Sequence, residues 1–173
     1  MSHSLGGRTA CVFNDEVWPD FVALSERIPP FLRLQTLRAE DSVEAEGLTI
    51  TPVPVHHVVP TFGFIVRGDH GSVIFAGDSG PTTRLWELAA GVPDLRAVFL
   101  EASFPNRMRP LAEASLHLTS TMVGQEAEKL PAGVRIIAVH LKVAYRAEIE
   151  RELEALRLPD LEVGECDKEY LFP

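Results

Sequence analysis

Ser72-Val73-Ile74-Phe75-Ala76-Gly77-Asp78-Ser79-Gly80-Pro81 decides the fold class of this 173-residue chain. Val73 to Ala76 is a continuous apolar run and reads as a buried strand. Gly77-Asp78-Ser79-Gly80-Pro81 then stops the strand abruptly. A helical pattern with Leu85, Leu88 and Ala89 on one face follows at once, so the loop is a strand-to-helix turn in an α/β layer. Asp78 is therefore expected at a strand's C-terminal edge. Two roles suit it there, a turn residue capping the next helix or a metal-binding or catalytic carboxylate.

Outward from this stretch, the preceding segments are mostly strands. Phe31 to Leu37 and Leu48 to Val55 alternate apolar and polar residues, and Pro52 and Pro54 place the second at a sheet edge. Phe62 to Val66 leads through Gly68-Asp69-His70-Gly71, a hairpin turn, into the Asp78 strand. Downstream, strands and helices alternate. Leu95 to Leu100 is a strand closed by Glu101, Ser120 to Leu130 a helix, and Val134 to Val139 a β-branched strand ending at His140. Tyr145 to Leu158 is an amphipathic helix with Ile149, Leu153 and Leu156 on one face, and Leu161 to Val163 can form a last strand.

Composition bounds the function. Hydrophobic residues make up 46% and charged residues 24%, an ordinary globular mixture with enough length for one domain. No apolar run is long enough to span a bilayer. The formal net charge of −9 argues against a large nucleic-acid footprint, which needs a basic surface. Cys11 and Cys166 lie far apart, outside any Cys-x-x-Cys pair, which argues against a disulfide framework and a thiolate zinc site. Met1 to Arg8 shows no apolar core of a signal peptide, and a cytoplasmic location is expected.

Three predicted strands end in residues able to bind a metal: His56-His57, Asp78 and His140. Imidazole and carboxylate are usual ligands of zinc, manganese or iron, and α/β sites form at the carboxyl ends of strands. A lone histidine is more often structural, but three such endings together point to a metal centre. Glu101 and His117 sit at similar edges and suit a proton relay, with a surface carboxylate and a loop histidine as the plain alternatives. Lys142, two residues past His140, can reach an anionic substrate group or stand in solvent. Gly77-Asp78-Ser79-Gly80 resembles the nucleophile loop of trypsin-like proteases, but the second glycine of that motif is missing and no segment supplies its histidine.

Taken in order, six segments resemble the metallo-β-lactamase-fold phosphohydrolases, and among them the class II 3′,5′-cyclic-nucleotide phosphodiesterases. They are Phe13 to Phe21, His57-Val58-Val59-Pro60-Thr61-Phe62-Gly63-Phe64, Phe75 to Thr82, Phe99 to Asn106, Ser115-Leu116-His117-Leu118-Thr119, and Val139-His140-Leu141-Lys142. The resemblance implies an α/β, metallo-β-lactamase-like αββα sandwich. It implies that His57, Asp78 and His140 are metal ligands, that Asp78 bridges two divalent ions, and that Glu101 and His117 form the relay. The ions would be zinc, with manganese or iron the alternatives. The implied reaction is hydrolysis of cyclic AMP or cyclic GMP, with Lys142 binding substrate. The partners expected are a small cyclic nucleotide, no nucleic acid and no membrane, with a homodimer permitted.

The superfamily's His-x-His-x-Asp-His segment does not occur in residues 1–173. The chain is therefore expected to be a single domain, residues 1–173, incomplete at the N-terminus for want of its first βα portion, with an incomplete metal site and impaired activity. Two alternatives stand beside this reading. One is a non-catalytic fragment or pseudoenzyme. The other is another hydrolase of the fold, such as a relative of the tRNA 3′-processing ribonucleases. Those enzymes carry a long basic arm between the ligand histidine and the bridging aspartate, whereas His57 and Asp78 are separated by a tight hairpin.

Overall fold

A computed structural model describes residues 12–27, 29–32 and 34–172. The chain divides into two compact units, residues 1–38 and 39–173. Among its described residues the first contains one helix, α1 (Phe21–Arg27). Asp20 caps it, its carboxylate accepting the Ala23 N–H at 2.9 Å. Phe21 meets Phe13 and Phe31 edge-to-face at 5.6 and 6.4 Å. The strand expected from Phe31 to Leu37 does not form among the described residues. Alternation alone makes no strand without a neighbour to take its N–H and C=O groups. Thr9 to Phe13 also reads as a short strand in the sequence, and its residues 9–11 lie outside the described residues.

The second unit is built on a seven-stranded sheet in chain order: β1 (Val43–Ala45), β2 (Leu48–Val55), β3 (Thr61–Gly68), β4 (Gly71–Phe75), β5 (Leu95–Glu101), β6 (Arg135–Val139) and β7 (Leu161–Val163). β1 to β4 pair antiparallel and β4 to β7 pair parallel. The helices α2 (Arg84–Ala89), α3 (Arg109–Ser115), α4 (Ser120–Ala127) and α5 (Arg146–Ala155) fall in the connections between the parallel strands. That order follows the pattern read from sequence, because parallel neighbours need a crossover and antiparallel neighbours need only a turn.

One side of the sheet holds the core. Val53, Ile65, Ile74, Val98, Leu100, Ile136 and Ala138 pack with Leu85 and Trp86 of α2, Met122 and Val123 of α4, and Ile149 and Leu153 of α5. Intervening strand residues point the other way. Phe75 stacks on Phe99 there at 4.7 Å, and Tyr170 and Phe172 stand edge-on to Phe99.

β2 is not the sheet edge that its prolines suggested. It lies between β1 and β3. However, β1 pairs only with Leu48, Thr49 and Ile50, so Pro52 and Pro54 lie beyond its reach. That half of β2 needs no N–H on its outer side, which is where proline is tolerated. Among the described residues, no helix is long and apolar enough to cross a membrane.

Candidate metal and proton-transfer site

The topology gathers the chemistry-bearing residues at one edge. β2 is antiparallel to β3, and β3 to β4, so β2 runs the same way as the parallel set β4 to β6. His57, Asp78, Glu101 and His140 therefore all lie at or just past carboxyl ends of strands. The Asp78 turn is anchored to the end of β2 by the Gly80 N–H, which donates to the His56 carbonyl at 2.8 Å. Gly77 makes the turn possible. Its φ is +68°, and a Cβ there would lie 3.0 Å from the Phe62 carbonyl oxygen.

Glu101 is the buried centre of the site, with a side chain 1% exposed. It accepts the Ser79 N–H and the His117 Nδ1 hydrogen at Oε1, each at 2.7 Å, and the Leu118 N–H at Oε2 at 3.1 Å. One carboxylate thus ties together the turn after β4, the end of β5 and the segment before α4. It also fixes the tautomer of His117. A carboxylate only accepts, so Nδ1 carries the hydrogen and Nε2 is free to exchange a proton. The backbone before His117 is set by Leu116, whose φ of +53° ends α3 in a left-handed turn.

His57 Nδ1 lies 3.1 Å from the Leu116 carbonyl, to which it donates, leaving Nε2 as an acceptor. The His57 and His117 ring centroids are 4.9 Å apart, and those of His117 and His140 are 5.5 Å apart. His140 Nδ1 lies 2.9 Å from Asp78 Oδ1. Lys142 Nζ lies 3.2 Å from His140 Nε2 and 5.9 Å from the Phe104 ring centroid. The structure thus brings all six predicted residues to one place. It also shows partners with no distinct signal in the sequence: the Leu116 carbonyl, the Ser79 N–H and the Ser103 hydroxyl.

The donor set suits a divalent metal. His57 presents Nε2 while its Nδ1 is held by a backbone carbonyl, the usual outer arrangement of a ligating histidine. Asp78 is 49% exposed and offers a carboxylate. Both His140 nitrogens are engaged: Nδ1 faces the Asp78 carboxylate, so a metal at Nε2 must displace Lys142 from contact. Ligand atoms of Glu101, His117 and His140 also lie within 4.8 Å of one another, a grouping that could hold a metal ion. Among the described residues, His57, Asp78 and His140 do not converge this closely as a group, while Glu101 already accepts three hydrogen bonds.

Residues 11–141 match the family model described as a beta-lactamase superfamily domain. A curated ribonuclease Z of Mycobacterium tuberculosis (strain H37Rv) is 38% identical over 69 residues, 39% of this chain and 25% of that protein. A ribonuclease Z of Mycobacterium sp. (strain KMS) is 28% identical over 130 residues, 71% of this chain and 43% of that protein. The chain thus spans less than half the length of these curated relatives. Among solved structures, the metallo-β-lactamase-fold protein YhfI from Bacillus subtilis superposes with a TM-score of 0.65 at 13% identity, over 83% of this chain and 58% of that one. The short form of human tRNase Z superposes with a TM-score of 0.56 at 18% identity, over 78% of this chain and 48% of that one.

The chain therefore belongs to the beta-lactamase superfamily and has the metallo-β-lactamase fold, with a mixed α/β layer on a seven-stranded sheet. The narrower resemblance to cyclic-nucleotide phosphodiesterases is not supported, since these curated relatives are named ribonuclease Z. The same finding corrects the expectation of a small-molecule partner and no nucleic acid. The small-molecule part of that expectation rested on the resemblance, and the nucleic-acid part on the missing arm and on a net charge of −9, a sum over the whole chain. A sum does not describe the local field at one sheet edge, where Lys142 stands. The hairpin between His57 and Asp78 is present as expected. It shows only that no gripping arm is inserted at that point.

Proposed function

We propose that this member of the beta-lactamase superfamily works as a metal-dependent phosphodiester hydrolase on RNA, in the manner of a ribonuclease Z. The observation that carries the reading is the Glu101–His117 pair, closed at 2.7 Å beside the Asp78–His140 pair at one sheet edge. His57, Asp78 and His140 would hold the metal, zinc first among the candidates. When bound, a divalent cation supplies Lewis-acid polarisation of the phosphoryl group and activation of water.

The chain's own residues supply the rest. Glu101 fixes the His117 ring through Nδ1 and balances its charge when Nε2 takes up a proton from water, and that Nε2 proton then passes to the departing oxygen. His117 is only 12% exposed, which keeps that proton from bulk water. Lys142 places a cation beside His140, where it can meet a phosphate oxygen. The relatives' names support RNA as the substrate class.

The test is a substrate panel run on the metal-loaded protein. A precursor tRNA with a 3′ extension is expected to be cut at the extension, at a reduced rate because residues 1–173 supply no His-x-His-x-Asp-His ligands, and the activity is lost on chelation and restored by zinc or manganese. An intact precursor alongside brisk cleavage of cyclic AMP would overturn the reading.

A further inference from the structure

Ser103 has no role in the chemistry above, yet its hydroxyl lies between the two histidines that matter most. The side chain is fully buried. Its Oγ stands 3.4 Å from His117 Nδ1, 3.4 Å from His140 Nδ1 and 3.4 Å from the His140 carbonyl oxygen. The Ser103 carbonyl in turn accepts the Lys142 N–H at 3.4 Å.

Hydrogen counting leaves one consistent arrangement. Both Nδ1 atoms face carboxylates, Glu101 at 2.7 Å and Asp78 at 2.9 Å, so both carry hydrogens. The hydroxyl has one hydrogen and two lone pairs. Its hydrogen goes to the His140 carbonyl, and its lone pairs face the two ring N–H groups. Each contact is long for a hydrogen bond, but all three converge on one buried atom.

His140 needs such a hold. Its φ is +61°, a left-handed conformation that a side-chain-bearing residue adopts at a cost. Near it, the Ala102 N–H donates to the Val139 carbonyl at 2.9 Å and the Phe104 N–H to the Leu118 carbonyl at 3.1 Å. Residues 102–104 thus lace the end of β5 to the segments carrying both histidines, and Ser103 makes the side-chain contact.

We propose that Ser103 is a positioning residue: it holds His140 in its left-handed conformation and sets the His140 and His117 rings at their working separation. The proposal rests on the metal and relay roles given to these histidines under the proposed function. Its effect should therefore appear in the chain before any substrate is present.

The test compares Ser103→Ala, Ser103→Thr and Ser103→Val with the unaltered protein. Threonine and valine have the same shape, so their difference isolates the hydroxyl from the added methyl group. Long-range nitrogen–proton correlation spectra of the imidazoles, recorded without metal, give the first readout. His140 is expected to keep a single Nδ1–H form in the unaltered protein and in Ser103→Thr, and to lose it in Ser103→Ala and Ser103→Val. Zinc affinity, read by competition with a chromophoric chelator, is expected to fall about tenfold or more in Ser103→Ala and Ser103→Val but not in Ser103→Thr. Unchanged spectra and zinc affinity in both hydroxyl-less variants would overturn the proposal. Failure of the unaltered protein to bind zinc would instead count against the metal reading, and the spectra would still decide the role of Ser103.

Discussion

Replacing Glu101 by glutamine exchanges one acceptor oxygen for an NH2 group. Both oxygens of Glu101 already face donors, so the new NH2 must point at an N–H of Ser79, Leu118 or His117. Glu101→Gln is therefore expected to lower stability by about 1–3 kcal/mol in urea unfolding, because a buried donor is left unmet. It also releases the His117 ring, so kcat should fall more than KM rises. At this scale much of the site was readable in the sequence. His57, Asp78, Glu101 and His140 are polar residues closing apolar runs, which is where α/β sites form. Ser103 was not readable. Nothing in Ala102-Ser103-Phe104 marks it, and its nearness to His140 comes from the parallel register of β5 and β6.

Among the elements, the Asp78 turn and the α2–α4 contact are the points of greatest leverage. Gly77→Ala places a methyl group against the Phe62 carbonyl at a left-handed φ. The expected cost is about 1–3 kcal/mol of stability, with weaker metal binding because Asp78 rides on the same turn. Denaturant unfolding and zinc titration check the two effects separately. On the helix side of the sheet, Glu126 of α4 is buried and accepts from Trp86 Nε1 at 2.6 Å, the Thr82 N–H at 3.2 Å and Lys129 Nζ at 2.5 Å. Glu126→Ala strands the Trp86 and Thr82 donors together. It is expected to cost about 3 kcal/mol or more in urea unfolding, leaving the sheet edge with His57, Asp78, Glu101 and His140 chemically unchanged. Element types were mostly legible, since the strand–helix alternation after Gly71 follows hydrophobic period alone. The position of β2 was not, because proline reports a missing N–H and cannot say how far the neighbouring strand extends.

Across the whole molecule, net charge proved the weakest guide. A value of −9 describes how the chain repels or attracts at long range, and screening confines that influence to about 10 Å at moderate salt. The local field at the candidate site is set by the few groups standing there: Lys142, the three histidines and two carboxylates. The fold was legible because ordered motifs recur along the chain at strand ends. The substrate was not, because one fold and one set of metal-binding side chains can host many activities. In the proposed function, His117 moves the proton in metal-dependent cleavage of RNA. Single-turnover cleavage of a 3′-extended precursor tRNA by the unaltered protein and by His117→Ala, both saturated with zinc, tests it most directly. The expected result is a loss of about 10²–10⁴-fold in the cleavage rate of His117→Ala, with zinc content unchanged. Cleavage by His117→Ala at the unaltered protein's rate would contradict the account.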